Sequence, residues 1–149
     1  MSVRVTGLPS GAAAARLDMA LFRSRARRAL RELSRARSEL SLALVDDAEM
    51  AALNASYRGR EGPTDVLSFS LVEGPHALHR GGLLGDVVIG IEVAARQARS
   101  RHRSLDEETA RLMVHGLLHL VGHDHERAED ARLMRAEERR LWRALRAIA

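Results

Sequence analysis

A chain of 149 residues, 46% hydrophobic and 30% charged, fits one domain on a single core and is not the composition of a disordered protein. It has no cysteine, which excludes disulfides and thiolate metal ligands, and a formal charge of +4 in which every basic residue is arginine, so contact with a phosphate backbone is permitted. Aromatics at 3% argue against a broad base-stacking platform, and no apolar run approaches the roughly 20 residues that span a bilayer.

The first twenty residues lack the basic start and long apolar stretch of a signal peptide, so a cytoplasmic protein without a membrane segment is expected. Val3–Thr6 reads as a short strand. Leu17 to about Arg37 reads as a helix, with Phe22, Ala26, Ala29, Leu30 and Leu33 on one face. Arg23, Arg27, Arg28, Arg31 and Arg35 crowd its other face, which is either simply solvated or turned toward RNA. Glu39–Val45 alternates as a strand does. Asp46 is an N-cap acceptor with Glu49 three residues on, opening a helix with Met50, Leu53 and Tyr57 inward. Residues 58–65 form a loop interrupted by Gly59, Gly62 and Pro63.

VLSFSLV (66–72) is the next strand, followed by a turn-rich loop and LLGDVVIGI (83–91), an apolar strand expected to be buried on both faces. Glu92 to about His102 reads as a helix. Ser104 and Glu107 form a capping box for a helix that runs through Val121 and stops at Gly122. A last helix spans roughly Arg127 to Ala147, with Met134, Leu141, Leu145 and Ile148 on its buried side. With no repeats or linkers, the order of elements predicts a single α+β domain over residues 1–149. It should be a mixed sheet of about four strands carrying about five helices, and the histidine segment at residues 115–125 makes the expected fold zincin-like, with a metal site at the end of one helix.

The segment MVHGLLHLVGHDHE carries the chemistry. His115 and His119 lie four residues apart, about 400° around a helix, so both imidazoles leave nearly the same face and can bind one ion at about 2.0–2.1 Å. Gly122 breaks the helix and lets the chain double back with a third histidine. Spacing leaves both His123 and His125 as candidates for that third ligand. Three neutral imidazoles leave a coordination position for water, the pattern of a catalytic zinc site. Apart from the two histidines, Leu112–Val121 is apolar or glycine, and a buried pair of imidazoles needs partners. The bland alternative is two core histidines bonded to backbone carbonyls. Asp124 is either an orienting group for a ligand imidazole or an exposed turn residue. The position after the first histidine, where H-E-x-x-H zinc peptidases carry their base, is Gly116.

H-G-L-L-H-L-V-G-H-D-H (115–125) resembles the signature of the YbeY family, bacterial single-strand endoribonucleases of ribosomal RNA maturation. L-N-x-x-Y-R (53–58) with P-T-D-V-L-S-F (63–69), and L-G-D-V-V-I (84–89), agree in kind and order, so the resemblance spans about half the chain. It implies that the first, second and last histidines of the signature, His115, His119 and His125, hold one zinc ion. His123 falls where the family often has tyrosine. It also implies a functional role for Arg58 and fits Asp65, while His76 and His79 inherit no role. The implied substrate is single-stranded ribosomal RNA on the small ribosomal subunit, with action at the 16S 3′ end and in ribosome quality control, and a ribosome-associated GTPase as a further partner.

In such a site a His₃-bound zinc lowers the pKa of its water to about 7 and polarises a phosphoryl oxygen, while Arg58 grips a non-bridging oxygen. An ordinary surface arginine at a helix C-terminus is the alternative role for Arg58. Two competing functions are a non-catalytic, zinc-stabilised ribosome-assembly factor and a zinc peptidase, the latter disfavoured by Gly116.

Overall fold

The computed structural model describes residues 2–7, 11–70 and 83–148. The tail of the expected third strand (71–72) and the loop bearing His76 and His79 lie outside them. The elements are β1 (Ser2–Thr6), α1 (Ala12–Ala15), α2 (Met19–Glu32), β2 (Glu39–Val45), α3 (Asp47–Arg58), β3 (Val66–Ser70), β4 (Leu83–Gly90), α4 (Ile91–Ser100), α5 (Leu105–Leu120) and α6 (Ala128–Leu145). They form the expected α+β arrangement. One four-stranded sheet runs β1-β2-β4-β3, parallel from β1 to β4, with β3 antiparallel on the edge.

Period-two alternation builds this sheet. Leu40, Leu42 and Leu44 of β2 join Val87 and Ile89 of β4 in the main core under the helices. Val88 points the other way, to a smaller cluster with Val45, Leu67 and Met50 of α3. Burial of β4 on both faces is therefore observed, although Ile91 belongs to α4 rather than to the strand. Helix α5 lies at the centre, packed against α2, α4, α6, β3 and β4. Its approach to the sheet is close. A Cβ on Gly116 would come within 2.7 Å of the Val87 side chain and 3.0 Å of the Ser68 hydroxyl, so only glycine permits this contact.

The helix starts follow their caps. Asp46 accepts from the Glu49 N–H at 2.9 Å, and Ser104 from the Glu107 N–H at 3.0 Å. The capping box at Ser104 is made on that side only, because the Glu107 carboxylate pairs with Arg111 and Arg103. Four expectations are corrected. The helix expected over 17–37 is α2 alone, beginning after the Asp18 cap and followed at Ser34 by a left-handed residue. A short α1 precedes it, giving six helices among the described residues. Ile148 is only partly buried, packed at the rim of the core. Tyr57 is not inward but 67% exposed, because the last turn of α3 reaches the edge strand and meets Phe69 there. No described helix is long and apolar enough to cross a membrane.

Candidate metal centre

The site is assembled by two local devices on α5. The first is the i, i+4 pair, which sets the His115 and His119 rings 4.8 Å apart and nearly perpendicular. The second is the helix end. The Gly122 N–H donates to the His119 carbonyl at 3.1 Å and the His123 N–H to the Leu118 carbonyl at 2.9 Å, a Schellman motif. Gly122 takes φ 101°, which favours glycine, and the chain reverses. Asp124 then accepts from the N–H groups of His125 (2.6 Å) and Glu126 (3.0 Å). That turn swings His125 back over the helix end, with its ring 5.1 Å from His119 and 5.8 Å from His115. Asp124 thus holds the backbone of a candidate ligand rather than its imidazole.

One nitrogen from each of the three rings lies within 4.8 Å of the others. The Nε2 atoms of His115 and His119 are 3.3 Å apart. Two nitrogens bound tetrahedrally at about 2.0–2.1 Å from one ion are separated by about 3.3–3.4 Å, so this pair already has the spacing of a chelate. His123 is excluded from the group. It lines a different pocket with Asp130 and Leu133. Burial lowers the His119 pKa, helped by His115 and His125, so the neutral form that can ligate is favoured. These residues fit a borderline divalent ion.

A further group was not anticipated. The Glu138 carboxylate of α6 stands 3.4 Å from His115 Nδ1. A proton on Nδ1, held by this carboxylate, leaves the Nε2 lone pair facing His119, the tautomer that ligation requires. The sequence did carry a signal. Glu138 continues the stripe Met134, Leu141, Leu145 at helical spacing, and a carboxylate among apolar inward positions needs a partner.

The histidines open onto a cleft of about 670 Å³ along the edge strand, lined also by Tyr57, Arg58, Ser68 and Phe69. Arg58, exposed at the C-terminus of α3, therefore shares the cleft with the three histidines. Asp65 is a brace. It accepts from the Val66 N–H at 2.8 Å and from Gln97 Nε2 at 3.2 Å, while Asn54 Nδ2 donates to the Gly62 carbonyl at 2.9 Å and fastens the same loop to α3. Behind His115 a second pocket of about 340 Å³ is bounded by Arg101, Arg103, Arg111 and Glu138.

Comparison with known proteins shows the fold and the family. The solution structure of TM1509 from Thermotoga maritima shares the fold, with a TM-score of 0.66 over 96% of this chain and 88% of that one at 23% identity. Endoribonuclease YbeY of Anaeromyxobacter sp. (strain Fw109-5) is 48% identical over 145 residues, covering 97% of this chain and 72% of the relative. Its namesake in Anaeromyxobacter dehalogenans (strain 2CP-C) is also 48% identical over 145 residues, with the same coverage. The family model described as Endoribonuclease YbeY matches residues 14–146, and the chain belongs to that family.

Proposed function

We propose that this chain is a zinc-dependent endoribonuclease that cuts single-stranded ribosomal RNA, with residues 1–149 acting as one domain. The observation that carries it is the convergence of His115, His119 and His125 at one point in a cleft that also holds Arg58. The curated relatives are named endoribonucleases, which supports RNA as the substrate. An all-imidazole donor set without thiolates suits zinc among the borderline ions. Processing of the 16S 3′ end on the small subunit, ribosome quality control and help from a ribosome-associated GTPase belong to the same reading. A ribosomal substrate places the work in the cytoplasm.

The three histidines would hold the ion, which supplies Lewis acidity and makes water acidic near neutral pH. The chain's own residues do the rest. Glu138 keeps the proton of His115 on Nδ1 and fixes the ring. The Asp124 turn delivers His125. The Arg58 guanidinium matches two phosphate oxygens and offsets the charge that grows on them as the phosphodiester is cleaved. At Gly116 the sheet leaves no room for a peptidase-type glutamate, which speaks against peptide hydrolysis.

The test is chelator-stripped protein, reloaded with one equivalent of zinc, on a labelled unstructured RNA and on its duplex. His119→Ala is purified identically as the control. Zinc-dependent cleavage of the single strand, lost in the variant, is expected. RNA binding without cleavage in both proteins would overturn the enzyme in favour of an assembly factor with a structural ion.

A further inference from the structure

Tyr57 is the one tyrosine of the chain and occupies a position where helical spacing from Met50 and Leu53 calls for a core residue. It is nonetheless 67% exposed, the most exposed large hydrophobic among the described residues. It stands in the cleft of the three histidines, directly before Arg58. Phe69 of the edge strand meets it at 5.0 Å between centroids and 65° between planes, the edge-to-face geometry that aromatic pairs prefer. That contact sets the ring without covering it.

From this geometry we infer that Tyr57 is the base-stacking residue of the cleft and the source of its preference for single strands. The inference rests on the RNA reading above. A ring offered to solvent beside a phosphate-binding guanidinium presents two complementary surfaces for one nucleotide, an aromatic face for the base and a forked cation for its phosphate. The other aromatics are spoken for. Phe22 is buried in the core, Phe69 lies against the inner cluster, and Trp142 carries the Arg25 and Arg111 guanidiniums at 5.1 and 4.9 Å. One platform reads one base. Because every base has a π-face, the contact is tolerant of sequence. It is selective against duplex, where each base is already stacked and paired and must be unstacked before it can reach the ring. Tyr57 is thus a positioning residue, holding the strand while Arg58 and the histidines face the phosphate.

The experiment compares Tyr57→Ala, Tyr57→Phe and Tyr57→Trp in the zinc-loaded protein. Substrates are a labelled unstructured RNA, its duplex, and the same strand carrying abasic sites. Stacking on a base is worth about 5- to 150-fold in affinity. Tyr57→Ala should therefore raise KM for the single strand about tenfold, with kcat changed less than threefold and zinc content unchanged. Tyr57→Phe should behave as the parent, because the ring and not the hydroxyl is used. The tenfold effect should vanish on the abasic strand, which a merely structural role for Tyr57 would not produce. Tyr57→Trp should have its emission quenched by the single strand and not by the duplex. An unchanged KM in Tyr57→Ala, or an equal penalty on the abasic strand, would overturn the inference while leaving the endoribonuclease reading intact. A parent protein that neither binds nor cuts RNA would remove both.

Discussion

Removing the Glu138 carboxylate should weaken metal binding without unfolding the protein. Loss of the group that orients a ligand imidazole typically lowers metal affinity 10- to 100-fold. Here the contact to His115 Nδ1 is 3.4 Å, at the long end for a hydrogen bond, and both side chains are about one-third exposed (32% and 33%). The lower end of the range therefore applies. Glu138→Ala should weaken zinc binding about tenfold, or about 1.4 kcal/mol, and Glu138→Gln, which keeps an acceptor, should lose less. A competition titration against a chromophoric chelator measures this directly, with circular dichroism to confirm the fold. Glu137→Ala is the control, since that carboxylate pairs with Arg140 of the same helix and not with a histidine. Zinc affinity in Glu138→Ala within twofold of the parent would refute the assignment of Glu138 as the orienting group.

Arg58→Ala should retain one equivalent of zinc and lose about 10- to 150-fold in kcat/KM, the worth of a hydrogen bond to a charged group, and full activity would take Arg58 out of the mechanism. Gly116→Ala should destabilise the fold by up to about 2 kcal/mol in urea titration. The overpacking penalty against Val87, about 1–3 kcal/mol, exceeds the helix-propensity gain of about 0.8–1.0 kcal/mol, and an unchanged midpoint would mean that the sheet yields. For pH the sign follows from His119. Its folded pKa lies below the value of about 6.5 in the unfolded chain, chiefly through burial, so the unfolded state takes up the proton first. Metal-free protein should thus be at full stability above pH 6.5, lose stability as pH falls below it, and level off beneath the folded pKa. The difference between the parent and His119→Gln across pH 7.5 to 5.5 isolates this contribution, and a difference flat or rising toward acid would contradict it.

The features legible in the sequence were local in the chain. The i, i+4 pair His115 and His119, the capping residues Asp46 and Ser104, the alternation of Glu39–Val45 and the breaker Gly122 each act within a few residues, and each is found where the pattern puts it. What escaped depends on tertiary neighbours. Glu138 meets His115 only because α6 packs along α5 and brings it beside a residue 23 positions away. Tyr57 carries a core pattern but extends over a sheet edge, and periodicity does not report where a sheet ends. For Asp124 the sequence leaves two roles open, and its carboxylate takes the turn role by satisfying backbone N–H groups.

Gly116 shows how packing and chemistry are decided by one residue. Position 116 follows His115 on the helix, and in a peptidase of the H-E-x-x-H type that is where the base stands. Here the same position faces Val87 and Ser68, and the Ser68 hydroxyl donates to the Gly116 carbonyl at 3.1 Å. The close approach brings the edge strand β3 beside α5, which lets Ser68 and Phe69 line the cleft with the histidines. A side chain at 116 would push the strand away and carry Phe69, the support of Tyr57, with it. The residue that excludes a peptidase base is therefore also the one that lets the cleft form against α5.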